Sequence, residues 1–144
     1  MPEGYRVTRS IDAVPETVWG LLTDASSYAD WNRSIISIEG SIAAGGTIKL
    51  VSIASPKRTF TLKVASVEAP RRMVWASGMP LGLFKGTRTF LLEPQGAGTS
   101  FSITEAFTGP LAGMIARSIP DLTDSFDQFA DGLKAAAEGQ KGHV

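Results

Sequence analysis

The chain has 144 residues, of which 43% are hydrophobic and 19% charged, and its 14 basic residues are matched by 14 acidic ones. That length suits one domain with a sizeable core, and the even charge balance lacks the basic footprint of a nucleic-acid binder. The absence of cysteine excludes disulfides and thiolate chemistry, and no window is long and apolar enough to span a bilayer.

Tyr5 to Ile11 alternates apolar with polar residues, which predicts a half-buried strand. Pro15-Glu16 opens a short helix over Thr17 to Thr23 that buries Val18, Trp19, Leu21 and Leu22. Ser26 to Trp31 adds one or two further helical turns. From Ser34 the pattern changes to strands separated by turn signals. These are Ile35 to Glu39, Thr47 to Ile53 after Gly45-Gly46, Arg58 to Glu68 after Pro56, and Arg72 to Ser77 after Pro70. Lys85 to Glu93 follows an apolar loop, Gly78 to Phe84, and Thr99 to Phe107 follows the glycine-rich turn Pro94 to Gly98. Short strands joined by tight turns imply an antiparallel meander.

The segment from Pro110 to Ala137 repeats apolar residues at steps of three and four. Leu111, Ile115, Ile119, Leu122, Phe126, Phe129, Leu133 and Ala136 form one face. Asp121, Asp124, Asp127, Asp131 and Lys134 fall between them as a solvated face. Pro120 interrupts the run and is expected to kink or break the helix. Gly139 is a natural stop, so residues 1–137 form the expected domain and 138–144 a flexible tail. Such a helix needs a large apolar partner, and a curved sheet offers its concave face. A sheet wrapped around a helix leaves a space between the two.

Several stretches resemble the START/polyketide-cyclase superfamily (SRPBCC). They are Ile11-Asp-Ala-Val-Pro-Glu-Thr-Val-Trp19, Leu22-Thr-Asp24, Trp31, Pro70-Arg-Arg-Met-Val-Trp75, Phe84-Lys-Gly86, Phe90-Leu-Leu-Glu-Pro94, Gly98-Thr99 and Glu105-Ala-Phe-Thr-Gly109. The resemblance runs from about Tyr5 to Ala137. It implies an α+β helix-grip fold, a curved antiparallel sheet of seven strands gripping a long C-terminal helix around a hydrophobic cavity. The superfamily includes lipid carriers, hormone and allergen-type binders, polyketide aromatase/cyclases and chaperone-ATPase activators, so it constrains fold more than chemistry.

The sole histidine, His143, lies in the expected tail, which argues against a histidine-supported triad or general base. The four aspartates of the last helix read as a solvated face, and neither metal nor cofactor is expected. Gly45-Gly46 and Gly96-Ala-Gly98 occupy hairpin turns and open no helix, so neither is a phosphate cradle.

One polar pair stands out. The two-residue strand period puts Arg88 on the face of Phe90 and Leu92, and Glu105 on the face of Phe101, Ile103 and Phe107. Pairing about the Pro94–Gly98 turn sets Arg88 opposite Glu105 on the cavity side. The pair is either a structural ion pair or a ligand-reading one, with Arg88 binding a carboxylate or polarising a carbonyl while Glu105 orients it. The ligand-binding set expected from the inward faces is Trp31, Phe60, Leu62, Trp75, Arg88, Phe90, Phe101, Ile103, Glu105, Phe107, Phe126 and Phe129. Met79, Pro80, Leu81, Leu83 and Phe84 form an apolar loop, either a lid at the cavity mouth or a homodimer contact. The expected activity is binding of a small apolar or amphipathic molecule, with no nucleic-acid partner and no membrane span. The alternatives are a polyketide cyclase/dehydratase using Arg88 and Glu105, and a protein-interaction module of the chaperone-activator kind. The opening Met1 to Arg6 carries no apolar run of a secretory signal, and the expected location is the cytoplasm.

Overall fold

The computed structural model describes residues 4–78, 80–118 and 121–141. Seven strands are formed by these residues: β1 Gly4–Ile11, β2 Ile35–Gly40, β3 Thr47–Ser52, β4 Ser55–Glu68, β5 Arg72–Gly78, β6 Lys85–Gln95 and β7 Gly98–Thr108. They form one antiparallel sheet in the order β1-β7-β6-β5-β4-β3-β2. Between β1 and β2 the chain crosses the sheet through α1 (Pro15–Leu22), a single 3-10 turn (Ala25–Ser27) and α2 (Tyr28–Trp31). This crossing carries β2 to the edge opposite β1. After β7 come α3 (Ala112–Ser118) and α4 (Thr123–Lys141), giving the helix-grip arrangement.

Local chemistry explains most of these boundaries. Pro15 sits in the first turn of α1, where its missing N–H costs nothing. The Asp24 side chain accepts from the Ser26 amide at 3.0 Å and starts the 3-10 turn. β6 and β7 close through a two-residue turn between Gln95 and Gly98, in which Gly96 takes φ +60°. α4 lies so close to α2 that a Cβ on Gly132 would overlap the Trp31 carbonyl oxygen, so only glycine fits there.

The register creates rows of side chains across the concave face. Leu92 faces Phe101, and Phe90 faces both Met73 and Ile103, with Ile103 opposite Val7. These rows, nearest the β6–β7 turn, lie in the core with Phe129, Leu133 and Ala137 of α4, and most of their side chains are completely buried. The next row runs Val64, Trp75, Arg88, Glu105, Tyr5, and the row beyond it holds Ser77, Gly86 and Phe107.

The apolar run of the last third, expected to kink or break at Pro120, forms two helices. The chain is non-helical at Asp121 and Leu122, and the Asp121 carboxylate accepts from the Thr123 amide at 2.9 Å to begin α4. Ile119 and Pro120 lie outside the described residues. The expected tail is also revised, because α4 continues through Glu138 and Gly139 to Lys141. Its last turns are tethered to the end of β1: Lys134 Nζ donates to the Ser10 carbonyl at 2.6 Å and to Glu138 Oε2 at 2.8 Å, and the Asp12 amide donates to that same oxygen at 2.9 Å. Residues 142–144, His143 among them, lie outside the described residues. Strand β4 starts at Ser55 rather than Arg58, and Trp19 is only half-buried, packing against the edge of the core. No described helix is long and apolar enough to cross a membrane.

Candidate functional site

The break between α3 and α4 positions the site. α4 covers the rows near the β6–β7 turn, while among the described residues the opposite end of the concavity is roofed by Ile115 of α3 and by Leu122. A cavity of about 220 Å³ remains there. Its floor holds Trp75, Ser77, Gly86, Arg88, Glu105 and Phe107, and its far wall is built from β2, β3 and β4.

Arg88 and Glu105 meet as the strand register requires. Arg88 Nε donates to Glu105 Oε1 at 2.8 Å, with the two side chains 20% and 11% exposed. The Arg88 guanidinium also lies over the Phe126 ring, 4.7 Å from its centroid. The second Glu105 oxygen points toward the floor, 3.4 Å from where a Cβ on Gly86 would stand. Gly86 is therefore a gap in the floor, bounded by Glu105, Ser77 and Phe107.

Trp75 supplies the one anomaly of the floor. Its side chain is 1% exposed, and its Nε1 donor is buried with no hydrogen-bond partner. Buried indole N–H groups ordinarily find an acceptor. Tyr28, by contrast, is satisfied. Its hydroxyl donates to the Leu22 carbonyl, and burial pushes the phenol far above its ordinary range, with the Arg88 charge opposing that shift. Tyr28 thus stays a neutral structural group.

Six of the residues expected to contact a ligand line the cavity: Phe60, Leu62, Trp75, Arg88, Glu105 and Phe107. The other six do not. Phe90, Phe101 and Ile103 lie on the α4-covered rows and are wholly buried. Trp31 and Phe129 pack on each other and on Tyr28 at centroid distances of 4.7–5.9 Å, and the Trp31 indole donates to Ser27 Oγ. Phe126 of α4 packs its ring against the Arg88 guanidinium and touches Tyr5.

Sequence reasoning misses Ile35, Leu50, Ser52, Arg58, Ser77 and Gly86. Two of these carry a usable signal. Arg58 falls two residues before Phe60 on the inward face of β4, and Gly86 two before Arg88 on β6. The Arg58 guanidinium stacks over the Phe60 ring at 5.1 Å.

The apolar loop borders the cavity. Phe84 lines it and stacks on Phe107 at 5.8 Å, whereas Leu81 is 95% exposed in a left-handed conformation, φ 64°. Met79 lies outside the described residues. An open groove of about 550 Å³ runs along the other side of this loop and shares Leu62, Ser77 and Phe84 with the cavity, so these three form the partition between cavity and solvent. Among the described residues, no cluster of three or more His, Cys, Asp or Glu side chains could hold a metal ion.

Solved structures with this architecture are numerous. Protein CV1439 of Chromobacterium violaceum superposes with a TM-score of 0.67 at 20% identity, covering 96% of this chain and 99% of its own. Protein jhp0584 of Helicobacter pylori gives 0.72 at 16% identity, over 93% of this chain and 86% of its own. Truncated norcoclaurine synthase of Thalictrum flavum gives 0.68 at 13% identity, over 93% and 92%. At these identities the likeness concerns the fold alone. No curated protein is significantly similar in sequence. The family model described as polyketide cyclase / dehydrase and lipid transport matches residues 4–138, and the chain belongs to that family.

Proposed function

We propose that this protein binds a small amphipathic molecule in the cavity beneath α3. The observation that carries the reading is Trp75, a buried donor without an acceptor in the floor of a cavity walled largely by apolar side chains. An unmet buried donor costs about 1–3 kcal/mol, a cost that a ligand acceptor reaching it after a small rotation of the indole would remove. Leu50, Phe60, Leu62, Phe84, Phe107, Ile115 and Leu122 offer apolar contact for the rest of the molecule. At about 220 Å³ the cavity lies below the range typical of drug-sized ligand sites, which favours a compact one- or two-ring molecule over a long-chain lipid. Native mass spectrometry of freshly purified protein, against a denatured sample, tests this directly. Expected is a retained small molecule, or saturable uptake of a small aromatic probe that quenches Trp75. Protein that is empty and takes up no such probe overturns the reading.

A second reading, cyclase or dehydratase chemistry, is favoured by one observation. Glu105 turns its second oxygen over the floor beside Gly86, within reach of a molecule lying there. Arg88 would then polarise a carbonyl while Glu105 handles a proton. Turnover of a poly-β-keto substrate that vanishes in Glu105→Gln, with substrate affinity retained, would establish this reading in place of simple binding.

A further inference from the structure

Two arginines line the cavity, and they stand in different situations. Arg88 is engaged: Nε donates to Glu105 Oε1 at 2.8 Å, and the guanidinium rests on Phe126. Arg58 has no carboxylate within ion-pair distance among the described residues, and its guanidinium is held only against the Phe60 ring. Glu105 is the single acidic residue of the lining, so the lining carries one net positive charge, and that charge resides on Arg58. The Trp75 N–H is a buried donor without a partner, and the remaining polar groups of the lining are Glu105 and the hydroxyls of Ser52, Ser55 and Ser77. A site with an unpaired guanidinium and an unmet indole donor, whose lining carries one net positive charge, is short of negative charge.

We infer that the ligand is an apolar monoanion, a carboxylate on a compact ring system, and that Arg58 at the edge of the cavity, not Arg88, receives its charge. This deepens the binding reading above and rests on it. A single guanidinium offers two parallel N–H groups that fit one carboxylate. A phosphate monoester carries nearly two charges, and the lining supplies only one to balance them. Stacking on Phe60 holds the Arg58 side chain in place before the ligand arrives, so less rotamer freedom is lost on binding. Arg88 is unsuited to the task, since taking it from Glu105 would strand a carboxylate in a largely buried position.

The test uses two probes of one shape, naphthoate and its neutral amide, naphthamide, titrated into the full chain by calorimetry. Naphthoate is expected to bind roughly tenfold or more tightly than naphthamide, as a charge-assisted contact implies. The preference should shrink as salt is raised. In Arg58→Gln the ratio should fall to about one, while Arg58→Lys should keep part of it. Arg58 is exposed, so these variants should fold, and their thermal melts check that they do. Equal binding of both probes by the unaltered protein overturns the anion assignment and leaves the binding reading intact. A preference that survives Arg58→Gln and disappears in Arg88→Lys moves the seat to Arg88 and also overturns it. Binding of neither probe overturns the cavity reading itself.

Discussion

Arg88 and Glu105 are cross-strand partners on β6 and β7, joined by one Nε–Oε1 hydrogen bond of 2.8 Å on the floor of the cavity. Each is the other's only ionic partner among the described residues, and both are mostly shielded from water. Removing one leaves the other charged and poorly solvated. Arg88→Met or Glu105→Gln alone should therefore cost about 2–4 kcal/mol. The double variant should recover much of that loss, because no stranded charge remains. Urea unfolding of the four proteins measures the cycle. A mild Arg88→Met with a severe binding defect would assign Arg88 to the ligand instead.

The register of this pair is legible in the amino-acid sequence, because a two-residue period and a single glycine-rich turn leave little freedom in a hairpin. The same logic places Phe90 opposite Ile103 and Leu92 opposite Phe101, and both pairs form. What it does not reveal is which rows the last helix covers. Phe90 and Arg88 are two residues apart on one face, yet one lies in the closed core and the other beside an open space. That distinction depends on where α4 begins, at Thr123; Pro120 signals an interruption of the periodic run from Leu111 to Ala136 but not how far the helix is displaced beyond it. Arg58 carries a two-residue signal from Phe60 but is easily passed over. A charged residue at the start of a strand reads as solvated until the sheet's curvature brings it to the cavity wall. The end of α4 resembles a tail because Glu138 is an ordinary helix residue until Lys134 and the Asp12 amide are seen to hold it.

Phe129 and Phe126 should behave differently although both are nearly fully buried. Phe129 packs against Tyr28, Trp31 and Phe90 and does not line the cavity, so Phe129→Ala should cost about 3–5 kcal/mol and leave probe affinity unchanged. Phe126 supports the Arg88 guanidinium, and its loss should both destabilise and disturb the cavity floor. Unfolding and probe titration of the two variants separate the effects. Equal binding defects in both would mean that the boundary between core and cavity is drawn in the wrong place.

The tether at the end of α4 gives a pH dependence. The Lys134 ammonium, and next the Asp12 amide, hold the Glu138 carboxyl below its ordinary range, and the Thr123 amide and side chain do the same for Asp121. A carboxyl depressed in the folded state contributes stability that is present above its unfolded pKa and lost as pH falls through the folded value. Melting temperatures should therefore be flat near neutrality and fall below about pH 4. Glu138→Gln should be less stable than the parent at neutral pH, with the gap closing on acidification. A gap that widens toward acid would contradict the tether.

Gly86 offers the most direct check on the cavity. It occupies an extended position in β6, so a β-branched residue suits its backbone, and replacing a strand glycine gains roughly 0.5–1 kcal/mol of conformational entropy. A Cβ there would meet Glu105 Oε2 at 3.4 Å, Ser77 Oγ at 3.6 Å and the Phe107 ring at 3.7 Å, which are ordinary contacts. The methyl groups of valine would then project into the space above the floor. Gly86→Val should accordingly keep its melting temperature within a few degrees of the parent, since a change of about 1 kcal/mol moves a domain of this size by only that much. Uptake of a small aromatic probe should meanwhile fall at least roughly tenfold, the cost of forcing a ligand against two added methyl groups in a rigid wall. Unchanged uptake in a stable Gly86→Val protein would place the probe outside the cavity, in the groove on the other side of Phe84, and would make that groove the binding site.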